Sequence, residues 1–165
     1  MTNKKLTVLL AIVALVLAAP IRLGTTVTID SKSVFCLLLP RKRGGNIAAS
    51  ESSAVSFCTK ATTNTPNTNI LPKDCIKTIN HATGPGYVQI MGRIDSSKYG
   101  LRSDDGGGQY DPKARPGSSC AGAKKFVHLI EPDTQLYCIR CCTDPKKCNT
   151  GISTKGCRVI IPGTY

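Results

Sequence analysis

The sequence contains no tryptophan, and its aromatic side chains are limited to five tyrosines and three phenylalanines. A carbohydrate-binding platform of aromatic rings would therefore rest on tyrosine and phenylalanine alone. No Asn-x-Ser/Thr acceptor occurs, because Asn64-Thr-Pro66 and Asn67-Thr-Asn69 both fail at the third position, so N-linked glycan is not expected. The chain also lacks a G-x-S-x-G elbow and a carboxylate pair that would single out a glycosidase. The absence of this elbow and of a carboxylate pair removes two recognisable signatures of a hydrolase.

Long apolar runs are absent except at the N-terminus, where Leu6 to Ala19 is interrupted only by Thr7 and is preceded by Lys4 and Lys5. This order of charge and apolar run is typical of a secretory signal peptide. A bilayer-spanning helix needs about 20 apolar residues, and Pro20 ends this run too early. The sequence therefore predicts a signal peptide at 1–18, a single mature domain at 19–165, an extracellular location and no transmembrane anchor.

Acidic residues are few: the sequence has ten of them against 22 lysines and arginines, which gives a net charge of +12. The net charge falls to +10 when Lys4 and Lys5 leave with the signal peptide. Such an excess favours contact with anionic polymers and surfaces, namely acidic wall polysaccharide, membranes and nucleic acid. The alternative is that the charge serves solubility alone, because the basic residues are spread along the chain.

Cysteine is abundant, with nine residues, none in the predicted signal peptide. In an oxidising compartment they are expected to form disulfides, although spacing leaves the connectivity open. A zinc site at Cys138-Ile-Arg-Cys141 would need reduced thiolates, so we expect no metal and no cofactor. Cys141 and Cys142 would bridge in opposite directions if they lie on a strand. The odd count leaves one cysteine unpaired or bridged to a second chain in a covalent dimer.

Short β-branched and apolar runs, without a sustained helical period, predict a mainly β fold. We expect a small disulfide-stapled antiparallel sheet, sandwich or barrel, with long loops. Segment 54–58 fits a strand or a helix end, and Lys60 to Asn69 is the clearest loop. A hairpin is expected around the turn Glu131-Pro-Asp-Thr134. The expected strands are 25–29, 34–39, 86–94, 126–130, 136–140 and 156–161.

A glycine-rich segment carries Asp104, Asp105 and Asp111 around Gly106 to Gly108. Carboxylates on such a backbone could form a cation-binding loop, although the spacing is not that of an EF-hand. The favoured alternative is a tight loop in which the glycines adopt positive φ and the aspartates cap turns.

Two histidines, His81 and His128, together with Glu131, would suffice for the acid–base chemistry of a ribonuclease. Their spacing indicates no specific site, and an apolar strand context favours a packed His128. No residue is therefore assigned a catalytic role.

The pair Lys42-Arg43 before Gly44 has the form of a dibasic processing site. A solvated basic loop is the favoured alternative. If the chain were cut there, a disulfide from Cys36 could tether the N-terminal piece.

Eight short motifs are spread over nearly the whole predicted mature chain: Val34-Phe-Cys-Leu-Leu-Leu-Pro40, Ala54-Val-Ser-Phe-Cys-Thr59, Gly92-Arg-Ile-Asp95, Tyr99-Gly-Leu101, Asp104-Asp-Gly-Gly-Gly-Gln-Tyr-Asp111, Ser119-Cys-Ala-Gly122, Ile130-Glu-Pro-Asp133 and Tyr137-Cys-Ile-Arg-Cys-Cys142. With these motifs the chain resembles a group of small secreted, cysteine-rich fungal proteins without established activity. The resemblance implies a disulfide framework of eight cysteines, Cys36, Cys58, Cys120, Cys138, Cys141, Cys142, Cys148 and Cys157, with Cys75 as the free thiol. It also implies that the relatives are less basic at the positions of Arg41-Lys42-Arg43.

The sequence thus predicts a non-enzymatic, secreted basic protein of the effector, cell-wall-associated or surface-interaction type. The alternative is a small secreted hydrolase such as a ribonuclease.

Overall fold

The computed structural model describes residues 23–165, so the predicted signal peptide lies outside the described residues. Within them the fold is mainly β, as predicted, with short helical segments. The strands are β1 (Thr26–Val27), β2 (Ile29–Ser31), β3 (Val34–Leu39), β4 (Val55–Cys58), β5 (Asn69–Ile70), β6 (Asn80–Gly84), β7 (Tyr87–Arg93), β8 (Gly108–Tyr110), β9 (Ser119–Cys120), β10 (Lys125–Glu131) and β11 (Leu136–Cys142). The helices are α1 (Ser96–Tyr99), α2 (Cys157–Ile160) and the 3₁₀ segments Ala48–Ser50, Pro145–Lys147 and Ser153–Lys155.

Three sheets make up the described fold, and they do not close into a barrel. The largest has five strands in the order β6-β7-β11-β10-β8, all antiparallel. A four-stranded sheet has the order β2-β3-β4-β5, and β1 pairs with β9. The pairs β1–β9 and β4–β5 are parallel. No helix in residues 23–165 has the length and apolar composition needed to cross a bilayer.

The hairpin predicted around Glu131-Pro-Asp-Thr134 is confirmed as β10 and β11, the centre of the five-stranded sheet. Its two faces bury different partners because successive side chains point to opposite faces. Phe126, Ile130 and Ile139 pack in a large core against the four-stranded sheet. Val127 and Leu129 pack in a smaller core against the C-terminal segment. The central sheet is therefore covered on both faces.

Four disulfides stabilise the described fold, within a sheet and between the sheets and the segments packed on them. Cys36–Cys58 links the paired strands β3 and β4. Adjacent cysteines of β11 bridge in opposite directions, since Cys141 pairs with Cys120 in the large core and Cys142 pairs with Cys148 in the small one. The fourth bridge, Cys138–Cys157, ties α2 to the sheet. A disulfide typically contributes about 2–4 kcal/mol, so these bridges are comparable with the whole net stability of a small domain.

The strand predicted at 156–161 is wrong, because Cys157–Ile160 forms the helix α2. Cys157, Ile160 and Ile161 are buried while Arg158 and Val159 are exposed. That spacing of i, i+3 and i+4 is helical, and the apolar run concealed it. Residues beside the helix also fix its start, because the Cys157 amide donates to a Glu131 carboxylate oxygen at 2.8 Å.

Candidate functional site

The aspartates of the glycine-rich segment bind the protein's own backbone. Buried Asp105 accepts hydrogen bonds from the amides of Ile47 (2.8 Å) and Gly107 (2.9 Å). Asp111 caps the following turn by accepting from the amides of Lys113 (2.7 Å) and Ala114 (2.8 Å).

The remaining aspartate, Asp104, is exposed and forms an ion pair with Arg102 at 2.6 Å. Residues 23–165 contain no cluster of three or more His, Cys, Asp or Glu side chains able to hold a metal ion. The arrangement is that of a capped loop.

Only one of the three consecutive glycines has a positive φ. Gly107 lies at φ 88°, and a Cβ there would come within 2.1 Å of the carbonyl oxygen of Ile130. Gly108 instead begins strand β8. The expectation that the whole glycine run adopts positive φ is therefore wrong; at Gly108 the reason is pairing with β10, which extends the backbone.

His128 is a core residue, fully buried between the two larger sheets. Its Nδ1 accepts from the amide of Leu38 at 3.4 Å, which places the ring proton on Nε2. Its ring centroid lies 5.5 Å from that of Tyr110. Burial lowers the pKa of His128 to about 3 and raises that of Tyr110 well above its ordinary value. His128 is therefore neutral at every physiological pH.

The two histidines lie in one row of the five-stranded sheet but far apart. His81 pairs with Ile90, which pairs with Ile139, which pairs with His128. Three steps between strands separate them by about 14 Å. His81 is exposed at the sheet edge, whereas His128 is buried. The structure does not bring the pair together on one substrate.

Glu131 lies beside an open groove of about 480 Å³ that Glu51 and the backbone of Gly106 to Gly108 also line. Its carboxylate is already engaged by the amide of Cys157 and, at 3.4 Å, by the Thr134 hydroxyl. Burial and the nearby Asp111 carboxylate raise the pKa of Glu51. No histidine lines this groove.

A basic loop follows β3, with Arg41, Lys42 and Arg43 all exposed. The backbone turns back on itself, because the Gly45 amide donates to the Lys42 carbonyl at 3.1 Å. Gly44 has φ 75°, a conformation that favours glycine. The basic loop thus exposes three consecutive cationic side chains to solvent.

Neighbouring segments hold this loop in place. The Gly44 amide donates to the carbonyl of Gly100 at 2.6 Å, and the hydroxyl of Tyr99 donates to the Pro40 carbonyl. Burial raises the pKa of Tyr99 to about 12, so the hydroxyl stays a donor. Asp105 fixes the loop's far end through Ile47.

A pocket of about 550 Å³ opens beside the basic loop. Residues from both sides of the loop line it: Pro40, Arg41, Lys42, Gly45, Ser50 and Ser53. Ion pairs among the described residues join Lys77 to Asp95 and Arg102 to Asp104. Within residues 23–165, therefore, no carboxylate forms an ion pair with the cations of the loop.

The basic loop is evident from the sequence, whereas the pocket beside it and the role of Asp105 are not. Its bond to Ile47 joins positions 58 residues apart, and no local pattern indicates so distant a partner. Asp105, one of the three aspartates considered for a cation-binding loop, positions the end of the basic loop through Ile47.

Cys75 is unpaired and fully buried. Burial raises the pKa of its thiol to about 11, with a smaller contribution from the Asp95 carboxylate. A disulfide between two copies through Cys75 would therefore require this segment to open.

Comparison with known proteins finds similarity to a fungal protein. The chain is 28% identical over 156 residues to the appressorium protein ROW2 of Mycosarcoma maydis, covering 83% of this chain and 53% of that relative. The chain thus spans about half the length of the relative it matches. No family model and no solved structure matches. The similarity and the disulfides are consistent with a small cysteine-rich fungal protein.

Proposed function

We propose that this chain is an extracellular, non-enzymatic surface-interaction protein that binds acidic cell-wall polysaccharide through the basic loop Arg41-Lys42-Arg43 and the pocket beside it. The observation that supports this most is an open pocket whose cations have no carboxylate partner among the described residues. Exposed cations of this kind attract spaced carboxylates of a polymer. Similarity to an appressorium protein supports a role at a fungal surface.

The chemistry of the pocket favours polysaccharide over the other anionic partners. No aromatic side chain lines it, so it lacks the stacking platform on which proteins hold single-stranded nucleic acid. Exposed large apolar residues of the described chain are Leu23, Ile70 and Val159. None of these lines the pocket beside the basic loop, so that surface lacks the large apolar anchor of an interfacial membrane binder.

The test is retention of the oxidised protein on immobilised polygalacturonate at rising salt. Removing three charges by Arg41→Gln, Lys42→Gln and Arg43→Gln should weaken binding about tenfold, since exposed ion pairs contribute about 0.2–1 kcal/mol each. Unchanged retention of this variant would contradict the proposal. Stronger binding of the parent to RNA or to anionic phospholipid vesicles would assign the loop to those partners instead.

A matched control removes the same charge elsewhere, by Lys124→Gln, Lys146→Gln and Lys147→Gln. All three lysines are exposed. Lys124 precedes β10 and the other two lysines follow β11, so all three lie at the open end of this hairpin. The basic loop is instead connected to the turn end, because Asp105, which binds the Ile47 amide, also accepts a hydrogen bond from the Asp133 amide through its backbone carbonyl. A seven-residue strand separates the two ends by about 20 Å. This control should bind as the parent does.

The hydrolase alternative has a test of its own. Incubating the oxidised protein with RNA should leave the RNA intact. Breakdown that disappears on replacing His81 or His128, without loss of fold, would overturn the non-enzymatic assignment.

A further inference from the structure

We propose that the peptide bond between Arg43 and Gly44 is a processing site for an endoprotease specific for pairs of basic residues. Cleavage would convert the protein into two chains that stay joined by a disulfide. This inference does not depend on polysaccharide binding, because its readout is the covalent structure of the chain.

The sequence around the bond suits such a protease. Lys42 and Arg43 precede it, and Gly44 and Gly45 follow it. A protease of this class binds both basic side chains through carboxylates, with charge-assisted hydrogen bonds. Glycines after the bond place no side chain in the way. Lys42-Arg43 is also the only pair of basic residues in the sequence that ends in arginine.

The structure leaves this bond accessible. Residues from Arg41 to Gly44 are all exposed, and no ion pair among the described residues holds the basic side chains. Two backbone hydrogen bonds fold the loop, from Gly44 to Gly100 and from Gly45 to Lys42. Opening the backbone at this bond breaks these two hydrogen bonds and leaves the paired strands β3 and β4 intact, so it does not require global unfolding.

The basic pairs of the described chain that lie outside this loop, at 124–125 and 146–147, are in more constrained backbone. Lys125 begins strand β10. Lys146 and Lys147 belong to a 3₁₀ helix within the short loop closed by Cys142–Cys148. These pairs serve as internal comparisons.

The fold explains why cleavage would not release a fragment. The bond lies between Cys36 and Cys58, which form a disulfide. Strand β3 on the N-terminal side pairs with β4 on the C-terminal side, and Leu37 is fully buried between its neighbours. Hydrolysis adds one water, leaving a carboxylate on Arg43 and an amino group on Gly44.

The test uses the oxidised, folded protein and a purified subtilisin-like endoprotease of dibasic specificity. The non-reduced protein should gain the mass of one water, and reduction should release two chains, one beginning Gly44-Gly45-Asn46. Arg43→Gln should slow cleavage about a hundredfold or more, because the protease loses a charged contact that its site is built to make. Lys146→Gln, the matched control, should be cut like the parent.

Two results would overturn the proposal. One is a folded protein that stays intact while the reduced, denatured chain is cut after Arg43 under the same conditions. The other is cleavage of the folded protein after Lys125 or Lys147 ahead of Arg43.

Discussion

Acidification from about pH 7 to about pH 4.5 should destabilise the fold through His128. The folded-state pKa is about 3, against 6.5 for the free side chain, and the cause is complete burial. Because the unfolded chain binds the proton more readily, the stability that neutral His128 provides is fully present above pH 6.5. It is lost as the pH falls from about 6.5 towards about 3.

The magnitude follows from the shift. Each pH unit below the unfolded-state pKa removes about 1.4 kcal/mol, so about 3 kcal/mol is lost by pH 4.5. That is a large share of the 5–15 kcal/mol typical of a domain. For a chain of this size it corresponds to a fall in Tm of about 6–12 °C. In the described part of the chain no charged group offsets this, since burial is the cause of the lowered pKa of His128. The neighbours of the imidazole are the Tyr110 ring and the backbone amide of Leu38.

The assay is urea unfolding of the oxidised protein at a series of pH values. His128→Gln keeps an acceptor for the Leu38 amide and cannot titrate, so its stability should be lower at pH 7 but flatter from pH 6.5 to 4.5. His81→Gln removes an exposed histidine at the sheet edge and is the matched control. NMR titration of the parent gives a second readout that needs no variant. Equal slopes in the parent and His128→Gln, or a His128 imidazole that titrates near pH 6.5, would show that burial of His128 does not cause the acid destabilisation.

Three further predictions concern other contacts. The Cys75 thiol of the native protein should resist labelling by a maleimide, because it is buried. In urea without reductant the protein should take up one label, whereas fast labelling of the folded protein would contradict this burial. Asp105→Asn, which weakens the charge-assisted bond to the Ile47 amide, should cost about 1.5–3 kcal/mol of unfolding free energy, and an unchanged urea midpoint would show that the bond contributes nothing. Gly107→Ala should cost at least about 1 kcal/mol through left-handed strain and a clash with the Ile130 carbonyl, whereas a stabilised variant would contradict the close packing; the measurement is again urea unfolding.

The strands that sequence patterns predicted best are those with a buried face and a defined turn. Val34–Leu39 is apolar throughout because both sides are covered, and the hairpin around Glu131-Pro-Asp-Thr134 carries its own turn residues. Strand β6, Asn80–Gly84, had no such pattern, since it is a polar strand at the edge of its sheet. Strand β8 was hidden in the glycine-rich segment because pairing with β10, a non-local contact, extends it.

The candidate site was only partly predictable for the same reason. Three consecutive basic residues are visible in any reading of the sequence. The pocket beside them is not, because it combines Arg41 and Lys42 with Ser50 and Ser53 from beyond the loop. Its support by Asp105 depends on two distant segments meeting in the fold. Charge can be read locally, whereas the cavity that uses it depends on tertiary packing.

Binding of acidic polysaccharide at the basic loop can be tested by NMR titration of the oxidised protein with oligogalacturonate, following backbone amides. We expect salt-sensitive shift changes at Gly44, Gly45, Ser50 and Ser53, beside the basic loop. Changes confined to residues 124 and 146–147, or no changes at all at low salt, would contradict it.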